Sequence, residues 1–223
     1  MKIALSTPYW NDKLGLERLF NSIDISQEGI PDYWIVIDGK YDLNDSPNIW
    51  STDGSSEYLI SLGEVVNGMK IIHKEFHGTE HDKRQIYLDL CRELDIDILI
   101  RIDSDEYFSK VNWKLLRDFI PNLNQKVNYH CIWSCFTGKS YGWYPKLWIR
   151  PYEIDYWNAH CLFKNRKTGI ITRSTSVNGD ELFKEVIQIR GDDTLRTKDY
   201  LHRTFQYQEK MIQREKPFRR AVF

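Results

Sequence analysis

The stretch Asp97-Ile-Leu-Ile-Arg-Ile-Asp103-Ser104-Asp105-Glu106-Tyr-Phe108 limits the architecture more than any other, because an apolar run stops at two carboxylates separated by one small residue. Residues Ile98 to Ile102 are too few for a helix and rich in β-branched types, which predicts a buried strand. In an extended chain residues two apart share a side, so Asp103 and Asp105 at the carboxyl end can face one ligand. Two anions so placed repel unless a divalent cation or strong donors sit between them, which makes hard-metal binding one explanation. The other is a polar turn whose two Asp side chains are solvated or cap the next helix.

The preceding chain supplies a setting for that strand. Lys2 to Leu5 reads as a first short strand and Ser6-Thr7-Pro8-Tyr9-Trp10-Asn11 as the loop leaving it. Leu14, Leu16, Leu19, Phe20 and Ile23 recur at helical spacing, and Tyr33 to Ile37 forms a second strand that stops at Asp38-Gly39. Strand, helix and strand joined by short links imply parallel pairing with a right-handed crossover. The Asp-, Asn-, Ser- and Pro-rich segment from Tyr41 to Ser56 predicts a loop. Glu57 to Leu62 predicts a short helix, and Asn67-Gly68 a turn into a third strand over Met69 to His73. His77 to Asp82 is a polar cap for a helix with Ile86, Leu88, Leu90, Cys91 and Leu94 mostly on its buried side. Lys83 and Arg84 then fall in the first turn, where cations oppose the helix dipole unless an anion lies nearby. Two solvated surface charges are the alternative.

Beyond the acidic pair, Val111 to Ile120 predicts a helix stopped by Pro121, and Val127 to Phe136 a strand ended by Thr137-Gly138. Short strands are expected at Lys146 to Arg150, Cys161 to Lys164, Ile170 to Val177 and Phe183 to Ile189, and a long polar helix over Thr197 to Lys216. No repeat or low-complexity linker divides the 223 residues, which suit a single domain with an α/β first half and a mixed second half. Open α/β sheets bind ligands at the carboxyl ends of their strands. Thr7-Pro8, Asp38 and Asp103/Asp105 each stand at such an end, in three separate strands.

A formal net charge of -1 gives no overall pull toward nucleic acid or membrane. No stretch approaches the roughly 18 apolar residues of a membrane span, and Met1 to Leu5 is too short for a signal peptide's apolar core. Cys91, Cys131, Cys135 and Cys161 lack CxxC spacing and the density of a disulfide scaffold, so reduced, buried thiols and a cytoplasmic location are expected. The 8 Trp and 13 Tyr can line a sugar or base site, or fill a large core and its rim.

Together these residues resemble the nucleotide-sugar site of the GT-A glycosyltransferases, most closely the family 2 group, over roughly residues 2 to 108 and in pieces beyond. The resemblance implies a Rossmann-related mixed central sheet flanked by helices, with residues 1–108 holding the nucleotide-sugar and 109–223 facing the acceptor. It implies that Thr7, Pro8 and Tyr9 line the donor site, that Asp38 contacts the nucleoside, and that Lys83 or Arg84 reaches the nucleotide. Asp103-Ser104-Asp105 then matches the DxD motif, Asp103 and Asp105 holding manganese or magnesium against the diphosphate of a donor, with a UDP-sugar favoured. Tyr9 or Trp10 would stack on the base.

In the second half, Pro145 to His160 resembles a segment that carries a His-Glu pair near the acceptor. Cys161 stands where the Glu would be, leaving His160 to orient the acceptor hydroxyl or act as its base. Relatives carry a further metal-binding His before a C-terminal helix; Arg190-Gly191-Asp192-Asp193 stands here, with Asp192 or His202 as substitutes. The expected function is metal-dependent transfer of a sugar to the hydroxyl of a glycan or, given the basic tail of Arg214, Lys216, Arg219 and Arg220, of a hydroxymethylated base in DNA. The rival is a non-catalytic module of the same fold that grips a glycan or nucleic acid. A phosphatase of the haloacid-dehalogenase type also uses Asp-x-Asp, but after its first strand rather than the fourth.

Overall fold

The computed structural model describes residues 1–124, 127–135, 141–157, 162–173, 181–191, 209–210 and 213–214. Its first half alternates strands and helices: β1 (Ile3–Tyr9), α1 (Lys13–Ile23), β2 (Tyr33–Asp38), α2 (Ser55–Leu62), β3 (Val65–Val66), β4 (Met69–Glu75), α3 (Glu80–Glu93) and β5 (Ile98–Arg101). Then follow β6 (Glu106–Val111), α4 (Trp113–Phe119), β7 (Tyr129–Cys135), β8 (Tyr141–Ile149), β9 (Ile154–Tyr156), β10 (Leu162–Asn165), β11 (Ile171–Arg173) and β12 (Ile187–Gly191).

Among the described residues nine strands form one sheet in the order β3-β4-β2-β1-β5-β8-β7-β12-β6, and β11-β10-β9 form a second. The block β4-β2-β1-β5 is parallel, as the strand and helix alternation requires, while β8 joins β5 antiparallel and makes the sheet mixed. This is the fold class expected from the sequence, a mixed central sheet flanked by helices. The large sheet is continuous across residue 108, since β6 and β12 extend it beyond β7.

Alternation within the central strands sorts the core into two layers. Ile3, Leu5, Trp34, Val36, Ile98 and Ile100 pack on one side with Leu16, Leu19 and Trp113 from α1 and α4. Ala4, Ile35, Ile37 and Leu99 pack on the other with Tyr87, Leu88 and Cys91 of α3 and with Tyr156 and Phe163 of the small sheet. Strands buried on both faces read as continuous apolar runs, which is why β2 and β5 stand out in the sequence.

Several local expectations need correction. Thr7, Pro8 and Tyr9 lie within β1, paired to Val36, Ile37 and Asp38, and not in a loop. The helix expected over Val111 to Ile120 is present as α4 but begins at Trp113, because Val111 ends β6, whose partner β12 is remote in sequence. Phe183 belongs to a 3-10 turn over Glu181–Glu185, and the strand begins at Ile187. Of the expected 197–216 helix, Glu209, Lys210, Gln213 and Arg214 are helical and the remainder lies outside the described residues. Among the described residues, no helix is long and apolar enough to cross a membrane. Cys91 and Cys131 are buried free thiols and Cys135 is a half-buried one; Cys161 lies outside the described residues.

Candidate active site

The carboxyl ends of β2, β1 and β5 lie side by side. Tyr9 is in register with Asp38 and Ser6 with Arg101, and the Ile102 amide donates to the Ser6 carbonyl at 3.1 Å. Two polar groupings occupy this rim, one on Asp38 and one on Asp103.

Asp38 is buried, and its carboxylate is committed to the chain that follows it. Oδ1 accepts from the Gly39 amide and the Ser51 hydroxyl, both at 2.6 Å; Oδ2 accepts from the Ser51 amide at 3.0 Å and the Ser56 hydroxyl at 3.1 Å. The Asn- and Ser-rich segment read as a loop is therefore folded back onto the strand end. Tyr9, also buried, places its hydroxyl 3.0 Å from Ser56 Oγ and 2.7 Å from His73 Nε2. Thr7 Oγ1 accepts from the Trp34 indole at 3.0 Å inside the core. Thr7 and Tyr9 thus shape this corner from within, and neither presents a free face.

Lys83 and Arg84 are buried, not solvated, and they part company. Lys83 Nζ donates to the carbonyls of Tyr9 at 3.0 Å and Gly39 at 2.5 Å, stitching the ends of β1 and β2 together. Burial pushes its pKa down to about 7, with Asp38 working in the opposite direction. Arg84 turns toward β5: its Nε donates to Glu80 Oε1 at 2.9 Å and its Nη2 to Asp103 Oδ1 at 3.0 Å. The helix begins earlier than expected, at Glu80, which places Arg84 in its second turn, past the end where the dipole acts most strongly, and beside two acids. Thr79 starts α3 by accepting from the Asp82 amide at 3.1 Å.

Asp103, Ser104 and Asp105 form a turn, closed by the Glu106 amide donating to the Asp103 carbonyl at 2.9 Å, and not the extended segment expected. Side chains from several elements hold it. Ser104 Oγ donates to Asp12 Oδ2 at 2.6 Å, Arg18 Nη2 to the Asp105 carbonyl at 3.1 Å, and the Asp103 amide to Glu106 Oε2 at 2.8 Å. Lys146 of β8 lies 2.7 Å from Glu106 Oε2 and 3.7 Å from Asp103 Oδ2.

These neighbours split the two acids electrostatically. Burial opposes the ionised form of Asp103, but Arg84, Lys146 and Arg101 outweigh it and hold its carboxyl well below the usual range. Burial dominates at Glu106 and pushes its carboxyl up, although Lys146 pulls the other way.

Among the described residues no three His, Cys, Asp or Glu side chains converge as a ready-made metal cage. Magnesium and similar hard cations are commonly held by one or two carboxylates plus substrate phosphates and water. The side chain of Asp103 retains 31% exposure, and its Oδ2 stands 3.7 Å from Lys146 Nζ. Two carboxylates on one turn, one of them on a partly exposed side chain, are a donor set that fits such an ion. His160, Asp192 and His202 lie outside the described residues.

The structure thus joins Asp38, Tyr9 and Lys83 in one network and Arg84 with Asp103 in another, with Ser104 and Asp105 in the turn. Sequence reasoning passed over Arg101, Glu106 and Lys146. A detectable trace existed for two of them, since Arg101 and Lys146 each place a cation inside an otherwise apolar strand. Of the basic tail, Arg214 bridges Asp42 at 2.7 Å, and Lys210 just before it bridges Asp45 at 2.7 Å. Lys216, Arg219 and Arg220 lie outside the described residues.

No family model matches the chain. Among solved structures it is similar to S. aureus TarS, at 17% identity and a TM-score of 0.44, over 63% of this chain and 23% of that one. It is similar to residues 1-349 of S. aureus TarS in complex with UDP-GlcNAc, at 17% identity and a TM-score of 0.43, over 63% of this chain and 36% of the other. A third is glucosyl-3-phosphoglycerate synthase from Mycobacterium tuberculosis in complex with Mn2+, UDP-glucose and phosphoglyceric acid, at 18% identity and a TM-score of 0.38, over 61% and 44%. The chain spans less than half the length of each of these three.

Proposed function

We propose that this chain transfers a sugar from a nucleotide-sugar donor, a UDP-sugar in the first instance, to an acceptor hydroxyl. The observation that supports this most is the pair Asp103 and Asp105 on a braced turn at the end of a central parallel strand, with Arg84 against the first acid. In this reading residues 1–108 hold the donor and residues 109–223 face the acceptor, a glycan being the leading candidate. Asp103 and Asp105 would hold manganese or magnesium, which, when bound, neutralises the charge that gathers on a departing diphosphate.

The residues of the chain have separate tasks in that scheme. Arg84 places a fixed positive charge beside the leaving group, worth more in this water-poor corner than in solvent. Ser104, Asp12 and Glu106 hold the turn so that the acids need no rearrangement when the donor arrives. Thr7, Pro8, Tyr9, Asp38 and Lys83 keep the ends of β1 and β2 in place beneath the nucleoside. Either Tyr9 and Asp38 act through this scaffold, or the Ser51–Ser56 segment lifts and exposes them. His160 is the candidate to orient the acceptor hydroxyl, and Asp192 or His202 to complete the metal shell.

The decisive measurement is hydrolysis of UDP-sugars with and without manganese, since transferases commonly leak to water. Wild type should release UDP only with metal, and Asp105→Ala should lose that turnover while keeping its melting temperature. Full turnover in Asp105→Ala excludes the assignment. The non-catalytic alternative predicts binding of sugar or nucleic acid with no turnover at all. Binding to duplex DNA that weakens steeply with salt would support a DNA acceptor, and its absence removes that option.

A further inference from the structure

Arg101, two residues before Asp103, is a cation inside the core that forms no ion pair with any described side chain. It is 9% exposed, and its Nε, itself shielded from solvent, has no hydrogen-bond partner. Its charge acts on Asp103, whose oxygens already face Arg84 and Lys146. Two rings flank it, Trp148 and Tyr156, each with its centroid 5.9 Å from the guanidinium carbon. That is the outer limit of a useful cation–π contact; Lys184, by contrast, sits 3.7 Å from the Trp133 ring. A desolvated guanidinium held so loosely is costly to leave uncompensated.

The surrounding polar atoms are left over in the same sense. Tyr87, fully buried on α3, has a hydroxyl with no hydrogen-bond partner, and it is influenced by Arg84, Asp103 and Tyr156. Trp148 is 1% exposed, and its indole N–H is likewise unpartnered. Arg101, Trp148 and Tyr87 come from β5, β8 and α3, and all three leave N–H or O–H groups to give. Buried polar groups are nearly always satisfied, so several unsatisfied donors in one layer mark a place for an acceptor-rich group.

We infer that Arg101, Tyr87 and the Trp148 indole form an oxyanion site that takes a phosphate group of the acceptor molecule. A phosphate has enough acceptor positions to meet donors arriving from three elements, and its charge neutralises Arg101. This inference rests on the transfer reading, because it names the acceptor as a phosphorylated compound. The residues of this site are not those of the Asp38 corner: Arg101 stands beside Trp148 of β8 and Tyr156 of β9, neither of which bonds to Asp38, Tyr9 or Lys83.

The test measures binding of inorganic phosphate to the full chain by calorimetry and thermal shift, alone and with UDP and manganese present. Phosphate should bind and stabilise wild type, and it should continue to do so when UDP is saturating. Tyr87→Phe, which removes one hydroxyl from an otherwise unchanged ring, should weaken phosphate about tenfold. Arg101→Met should abolish the binding, and acceptor phosphates should lower the rate of UDP-sugar hydrolysis to water only when Arg101 is present. Displacement of phosphate by UDP would assign the site to the donor and overturn the acceptor assignment. Equal phosphate binding in wild type and Arg101→Met, or none in either, would overturn it as well. UDP-sugar hydrolysis in the absence of phosphate reports separately on the transfer reading itself.

Discussion

Arg84 and Asp103 are joined by a 3.0 Å bridge that spans from the second turn of α3 to the turn after β5, with the arginine almost wholly buried. The same guanidinium holds Glu80 at 2.9 Å, so one side chain serves two acids. Breaking a buried pair leaves the partners charged and unmatched, at about 3 kcal/mol where one partner keeps some solvent. Arg84→Met should therefore lower the melting temperature by roughly 6–12 °C in a chain of this size.

The pH dependence of that variant identifies the acid involved. Asp103 is held below the usual carboxylate range, so its contribution to stability is complete above its unfolded value of about 3.9 and fades as pH falls below it. The gap between wild type and Arg84→Met in urea denaturation should narrow from pH 7 to pH 3. A gap that stays constant assigns the cost to lost packing and not to the bridge.

Lys83 gives the opposite slope. Its folded-state pKa is pushed down to about 7, while the unfolded chain takes up the proton near 10.4. The charged form thus penalises folding in full below about pH 7, and the penalty lifts as pH climbs toward 10. Wild-type stability relative to Lys83→Met should rise across that interval. A flat difference would mean that the two carbonyls fully compensate for burial.

Asp38 invites a prediction about order rather than charge. Its carboxylate receives four hydrogen bonds, three of them from Ser51 and Ser56. Asp38→Ala should release the 51–56 segment, at a cost of about 3 kcal/mol for the buried donors left unmatched. Limited proteolysis should then cut within residues 40–56 at a rate that wild type does not show. Unchanged protection would assign the segment's order to the α2 packing alone.

How much of this was visible beforehand follows from where the information sits. Strand β2 is apolar until it ends at Asp38, and the apolar run of β5 gives way to Arg101 and then, two residues on, to Asp103, so the existence of both strands and the acids at their tips could be read locally. The Asn67-Gly68 turn was equally plain, with both residues at positive φ. What escaped depends on partners distant in the chain. Residues Glu106 to Val111 form a strand because β12, some eighty positions later, pairs with them. Asp38 spends its oxygens on Ser51 and Ser56, which composition marked only as loop. The acidic pair was legible as residues but not as geometry, since the turn depends on Asp12, Arg18 and Glu106.

Gly15 shows how far such long-range constraint reaches. It lies in the first turn of α1, where glycine is a poor helix former, and nothing in the helix's own pattern asks for it. A Cβ at this position would stand 2.4 Å from the Ser104 carbonyl and 2.6 Å from Asp12 Oδ1. The missing side chain is thus what lets α1 approach the acidic turn closely enough for Asp12 to accept from Ser104. Gly15→Ala should gain helix propensity and still lose about 1–3 kcal/mol, because a backbone oxygen cannot swing aside as a flexible side chain does. The displaced turn should also weaken manganese binding in the presence of UDP, measured by calorimetry. A Gly15→Ala protein as stable as wild type would show that α1 can slide without disturbing the acids, and that the close approach is incidental to them.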